Sequence, residues 1–111
     1  MTGRADLNIA EIPFGSGNVH YRYGRVLASD GKRWLRHGLF VEYAENGSVL
    51  SEGEYVDGKE HGRWRDFHPT GAPAAEGTYE HGLEHGEWRF WDEQGTEERH
   101  VMYEHGVERA A

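Results

Sequence analysis

Along this chain, apolar and aromatic residues come in short runs mixed with charges, and glycine interrupts them at near-regular intervals. The runs Glu52–Val56, Arg63–Phe67, Ala74–Glu80, Glu87–Trp91 and Glu97–Tyr103 are bounded by Asp57-Gly58, Pro69-Thr70-Gly71, His81-Gly82, Gln94-Gly95 and His105-Gly106. Glycines at this density would break a helix every few residues. Strands joined by tight hairpins tolerate them, and Asp-Gly is among the strongest hairpin signals. The pattern therefore predicts antiparallel strands, extended towards the N-terminus by Leu39–Tyr43, Val49–Glu52 and Val19–Leu27.

The punctuation is also periodic. Tyr55, Gly58, Gly62 and Trp64 recur as Tyr79, Gly82, Gly86 and Trp88, and the series restarts at Tyr103 and Gly106, a spacing of 24 residues. The same spacing relates Gly47, Gly71 and Gly95, and His37, His61 and His85 with the glycine after each. A fixed period of this length marks a repeat architecture, in which each unit buries its apolar face only against its neighbours. Two strands per period give an antiparallel meander in which Tyr55/Tyr79/Tyr103 and Phe40/Trp64/Trp88 form columns of stacked rings. Asp30-Gly31-Lys32 resembles Asp57-Gly58-Lys59 but stands seven residues ahead of Gly38, whereas Gly58 stands four ahead of Gly62. Three extra residues within Arg33 to Arg36 are expected to lengthen that first turn.

Simple pleating would place Trp64 and Phe67, or Phe40 and Tyr43, on opposite faces. Trp88, Phe90 and Trp91 put rings at both parities. Either both faces carry aromatic ladders or a bulge re-aims one residue.

Length and composition fit a thin structure. The chain has 111 residues, of which 36% are hydrophobic and 13% aromatic, so one domain without a thick core is expected. We divide it into residues 1–30, a cap or arm with a first strand, and residues 31–111, the repeats. Residues 1–14 are not repeat-like and are expected to pack on the sheet or to cross to a second copy. Burying each large aromatic contributes on the order of 1.5–3 kcal/mol, against ordering costs of roughly 1–2 kcal/mol per residue. Few rings are dispensable.

The absence of cysteine excludes disulfides and thiolate metal sites and fits a reducing cytosol. The N-terminus has no apolar leader, and no stretch approaches the ~20 apolar residues that span a bilayer. A soluble, cytoplasmic protein is expected.

Charge sharpens the choice of partner. The net charge is −8; residues 1–51 carry six basic and five acidic side chains, and residues 52–111 carry six basic and fifteen acidic ones. Phosphate backbones and anionic lipid headgroups are bound by neutralising them with Lys and Arg. Nucleic acid and membrane are therefore poor partners for the repeats, and a basic protein is a better one.

Segments such as His37-Gly-Leu-Phe-Val-Glu-Tyr-Ala-Glu-Asn-Gly47 and Glu52-Gly-Glu-Tyr-Val-Asp-Gly-Lys-Glu-His-Gly-Arg-Trp64 resemble the MORN-repeat variant of bacterial proteins labelled YwqK-family antitoxins, the antitoxin components of toxin–antitoxin systems. The similarity runs from about Gly31 to Gly106. It implies an all-β, single-layer, twisted antiparallel meander of hairpin repeats without enzymatic activity, and its antitoxin label implies a protein partner, a cognate toxin. The chain departs from the pattern in its first turn, in its incomplete last unit, and at Val101, where Gly53 and Gly77 would predict glycine.

Sharper chemistry finds little footing. His81 and His85 have the i, i+4 spacing of zinc-binding helices, but Gly82 and Gly86 argue against that helix. Column partners such as His81 and His105 would lie two strands apart, about 9–10 Å, too far to share one ion. The His-Gly pairs are read as turns, and no metal or cofactor is expected. Glu97-Glu98 and Asp92-Glu93 are adjacent, so in a strand they would face opposite ways rather than form an acid–base pair. The glycines follow the repeat and make no phosphate cradle or nucleophile elbow. Charge at Glu97, Glu98 and Arg99 is expected to protect a sheet edge.

The expected function is non-catalytic protein binding: an antitoxin or immunity protein that occludes a basic toxin. A self-assembling scaffold, including a homodimer, and a metal-binding or enzyme accessory domain stay open. The structural positions are Tyr55, Gly58, Gly62, Trp64, Tyr79, Gly82, Gly86, Trp88, Tyr103 and Gly106. The contact candidates are Phe67, Trp91 and the flanking Glu84, Glu87, Asp92 and Glu93.

Overall fold

The computed structural model describes residues 7–109. They form one open sheet of nine antiparallel strands, each hydrogen-bonded to the next in sequence. The strands are β1 (Asn8–Pro13), β2 (Val19–Leu27), β3 (Trp34–Tyr43), β4 (Val49–Val56), β5 (Lys59–Phe67), β6 (Pro73–Glu80), β7 (Leu83–Trp91), β8 (Glu97–Glu104) and β9 (Val107–Arg109). No helix occurs among the described residues.

Two turn types alternate along the meander. Asp57-Gly58, His81-Gly82 and His105-Gly106 have positive φ at both positions, the type I′ geometry whose twist matches that of the flanking strands. The intervening turns close differently. In Ala44–Ser48, His68–Ala72 and Asp92–Thr96 the first N–H donates to the last carbonyl, and the glycine N–H donates to the first carbonyl. Gly47, Gly71 and Gly95 have φ of 88–96°, the left-handed position of a type I turn with a bulge.

The His-Gly pairs of the β3, β5 and β7 strands lie inside strands rather than at their ends. Gly38, Gly62 and Gly86 have φ of 91°, 75° and 80° and sit at shifts in pairing register with β2, β4 and β6. Such bulges turn the strand and re-aim the side chains beyond them. Here they tip an aromatic ring back over the preceding strand. A Cβ added at Gly53 would overlap the indole of Trp64, and one at Gly77 the indole of Trp88. The indole N–H groups then donate to Glu54 O at 3.1 Å and to Thr78 O at 3.0 Å.

A one-layer sheet thus makes its own core. Phe40, Trp64 and Trp88 are buried, with Tyr21, Tyr23, Tyr55, Tyr79, Phe90 and Tyr103 packed around them. The rings run without a gap: Phe40–Trp64 at 5.5 Å, Trp64–Tyr79 at 5.8 Å, Tyr79–Trp88 at 5.1 Å and Trp88–Tyr103 at 6.5 Å between centroids. Most contacts within the ladder are edge-to-face, the arrangement the ring quadrupole favours. Val101 lies directly opposite Trp88 and is buried. It can carry a side chain because, among the described residues, no later indole folds over it.

Besides His37-Gly38, His61-Gly62 and His85-Gly86, which are strand bulges where turns are expected, three expectations are corrected. The first long turn is Ala28–Arg33, closed by Ala28 N–H to Arg33 O, and Trp34–Arg36 belong to β3. Gly31 takes the left-handed position there while Asp30 does not, so the pair is no type I′ turn. Asp30 instead accepts the Lys32 N–H, which, with Arg33 beside it, holds its carboxyl below the usual range. Second, the segment before Phe14 does not lie on a face. Asn8–Pro13 pairs with β2 as an edge strand, and Phe14–Asn18 repeats the bonding of Ala44–Ser48; residues 1–6 lie outside the described residues. Third, Glu97–Glu104 is not the last strand, because β9 pairs with it. Arg99 reaches across to Glu108 at 3.0 Å.

Gly77→Ala should destabilise the fold by about 1–3 kcal/mol through overpacking against Trp88. Gly15→Ala, where nothing lies within 4 Å, should stay within about 0.5 kcal/mol of the parent. Denaturant melts of both variants check the contrast.

Candidate protein-binding face

The side of the sheet away from the ring ladder is lined by alternate residues of each strand, and its centre is a lattice of ion pairs. Arg65 meets Glu52 at 2.6 Å, Arg63 meets Glu76 at 3.1 Å, and Glu87 holds His100 at 2.8 Å and Arg89 at 3.6 Å. Nearer the N-terminus Arg22 meets Glu11 at 3.6 Å. Exposed pairs of this kind contribute roughly 0–1 kcal/mol each; their larger effect is to leave few carboxylates in this region without a counter-charge.

Between these pairs the surface is furrowed. A depression of about 590 Å³ is lined by Leu39, Val41, Glu52, Glu54, Arg63 and Glu76, among others. One of about 300 Å³ on the other side of Leu39 is lined by Ile9, Arg22, Tyr23, Val41 and Tyr43. Leu39 itself is 74% exposed. Towards the C-terminal units, Phe67 and Trp91 border one depression with Arg65, Pro73 and Glu76, and Trp91 borders another with Glu87 and Arg89. Arg65 lies 5.6 Å from the Phe67 ring centroid. Both faces of the sheet therefore carry aromatics: the ladder on one, and the Tyr43/Phe67/Trp91 column at the margin of the other.

The expected contact residues do not form one patch. Phe67, Trp91 and Glu87 are brought together. Glu84 pairs with Tyr79 and so belongs to the ring face. Asp92 accepts the N–H groups of Gln94 and Thr96, which makes it a turn-closing residue. Glu93 is exposed within that turn.

Leu39 and Val41 were not among the expected contacts, although the sequence carries a signal for them. At the 24-residue spacing Leu39 aligns with Arg63 and Glu87, and Val41 with Arg65 and Arg89. Apolar residues thus occupy, in one unit, columns that the others fill with charge. Also missed is a cluster at the hairpin turns, Glu80, His85 and His105, whose ligand atoms lie within 4.8 Å of one another. Column spacing keeps His81 apart from His105 but sets no such limit on His85, which comes from a different position in the repeat.

Comparison with known proteins agrees with the repeat. Residues 36–57 and 60–81 match the family model described as MORN repeat variant. The two stretches cover β3 to β6 with their type I′ turns, and residues 84–105 reproduce the same strand and turn order. No curated protein and no solved structure matches the chain. MORN repeats serve in general as modules for interaction with proteins or membranes.

On the ring face, Glu84 lies opposite the Tyr79 phenol. Burial, and then the neighbouring Glu84 and Glu60, push the Tyr79 phenol up from 10.0 to about 12. Below the unfolded value both states carry the proton, so stability does not depend on it. Between pH 10 and 12 the unfolded chain loses the proton while the folded chain keeps it, so stability falls with rising pH. Thermal melts from pH 9 to 12 should show this decline in the parent and a shallower one in Tyr79→Phe.

Proposed function

We propose that this chain is a non-catalytic binding protein that engages a protein partner through the furrowed face. The observation that carries the reading is Leu39, 74% exposed between two depressions and set in columns that are charged elsewhere. An exposed aliphatic side chain beside Glu54 and the ion pairs Arg65–Glu52 and Arg63–Glu76 is the arrangement of a contact centre with a polar rim. Phe67 and Trp91 extend the contact across the later units, and the matched MORN repeats support an interaction role.

In its finer form the proposal makes the partner a basic toxin, encoded in the same organism and neutralised in the cytoplasm by occlusion of its cleft. The net charge of −8 and the resemblance to antitoxin proteins support it. Steering would come from the charge of the whole chain, since many carboxylates of the furrow already have partners. Affinity would come from the apolar centre.

One observation favours a second reading, self-assembly. The outer edge of the β1 strand offers Ile9, 59% exposed, and Ile12, 44% exposed, whereas β9 is short and charged. Apolar edges pair with other chains more readily than charged ones.

Affinity capture from the source organism, followed by binding kinetics with the captured protein, tests the proposal. Leu39→Asp should weaken binding by about 2 kcal/mol or more, as for a central contact residue, with thermal stability unchanged. The parent's association rate should fall with added salt. Equal binding by Leu39→Asp would remove this face from the account. Sedimentation equilibrium showing a dimer dissociated by Ile9→Lys, with no partner captured, would favour the scaffold.

A further inference from the structure

Each type I′ turn leans on the hairpin before it. Gly58 N–H donates to Arg36 O at 2.8 Å, Gly82 N–H to Glu60 O at 2.9 Å, and Gly106 N–H to Glu84 O at 2.8 Å. The contact brings the first turn residue, Asp57, His81 or His105, towards the histidine of the His-Gly bulge in the preceding unit: His37, His61 or His85. One geometry is thus built three times, with different chemistry in each.

In the first copy the histidine is used locally, since the Asp57 N–H donates to His37 Nδ1 at 3.1 Å. In the second, the His61 and His81 ring centroids are 6.2 Å apart, and β4, the strand ahead of His61, ends at Val56. In the third, the His85 and His105 centroids close to 5.3 Å, and Glu80 stands where the preceding unit has Val56. One ligand atom each from Glu80, His85 and His105 lie within 4.8 Å of one another. Independently, His85 Nδ1 is buried without a hydrogen-bond partner, the one such side-chain atom among the described residues. Buried polar atoms are almost always paired, so a buried imidazole nitrogen without a protein partner is suited to bind a ligand.

We propose that Glu80, His85 and His105 form a divalent-cation site of the zinc class. Two imidazoles and a carboxylate are the donor set that zinc takes when it keeps a fourth position open. Zinc–ligand distances of about 2.0–2.2 Å place tetrahedral ligands roughly 3.4 Å apart, so the cluster must contract by rotation of its side chains. The exposed His105 ring and the long Glu80 side chain are free to turn. Water or a partner's side chain completes the shell. The ion would tie β6 and β7 to the last turn and so fasten the end of the sheet, where β9 is only three residues long.

The test uses the full chain, freed of metal by chelation. Calorimetric titration with Zn²⁺ should show one equivalent bound per chain, and Co²⁺ should give the visible absorption bands of a tetrahedral site. Glu80→Val, which copies the preceding unit, should weaken uptake about tenfold or more, as should His105→Asn, which keeps a residue suited to the type I′ turn. His61→Ala should leave it unchanged. Hydrogen exchange of the β8 and β9 amides should slow on adding Zn²⁺ to the parent but not to Glu80→Val. No saturable uptake, or equal uptake by the parent, Glu80→Val and His105→Asn, overturns the proposal. Because Glu80→Val swaps one strand-end residue for another that the fold already accepts, its loss of uptake would not reflect unfolding; circular dichroism verifies this.

Discussion

The structure depends on one contact: an indole lying flat on a glycine of the preceding strand. Among the described residues a single sheet has no second layer to bury its rings. Trp64 over Gly53 and Trp88 over Gly77 supply that layer from within, because a backbone without Cβ lets the ring approach it directly. The bulges at Gly62 and Gly86 tip the rings into place, and the indole N–H groups bond to Glu54 and Thr78 carbonyls on the strand beneath. Buried aromatics of this size contribute on the order of 1.5–3 kcal/mol each.

Two differently equipped surfaces result. The ring face is largely covered by its own ladder, with Tyr55, Tyr79 and Tyr103 filling between the larger rings. Among the described residues the opposite face has no such cover, and ion pairs satisfy many of its charges locally. Against that background Leu39 and Val41 stand out as apolar residues among charged columns, the centre of the proposed contact. The turns form a third region. Because each leans on the hairpin before it, residues far apart in sequence meet at the margin of the sheet, and Glu80, His85 and His105 are the outcome with the most distinctive chemistry.

Much of the fold was legible because its determinants are local. Asp57-Gly58, His81-Gly82 and His105-Gly106 announce their turns, and the 24-residue period announces the stacking order. The role of Gly53 and Gly77 was not legible, since it depends on rings eleven residues later that fold back over them. The same blindness made Val101 look irregular. The first loop was misplaced because Asp30-Gly31 looks like a type I′ pair, whereas Gly31 serves in a longer turn. The face was partly legible: Phe67 and Trp91 belong to it, but Glu84 lies on the other side and Asp92 is used by its turn. Parity survives the bulges of β3, β5 and β7, because each sets three residues against one and so adds two; Glu84, four residues before Trp88, falls on the ring face with it, and nearness to Trp91 in sequence is what misleads.

Proton NMR tests the ring-on-glycine contact most directly. An indole seated on a glycine shifts that residue's Hα resonances upfield through its ring current. The Hα protons of Gly53 and Gly77 should be displaced strongly upfield of those of Gly47 and Gly71, which have no atom within 4 Å of a would-be Cβ. The indole N–H protons of Trp64 and Trp88 should exchange with solvent far more slowly than that of Trp34, which is 44% exposed. Unshifted glycine resonances, with all these indoles exchanging at similar rates, would contradict the account.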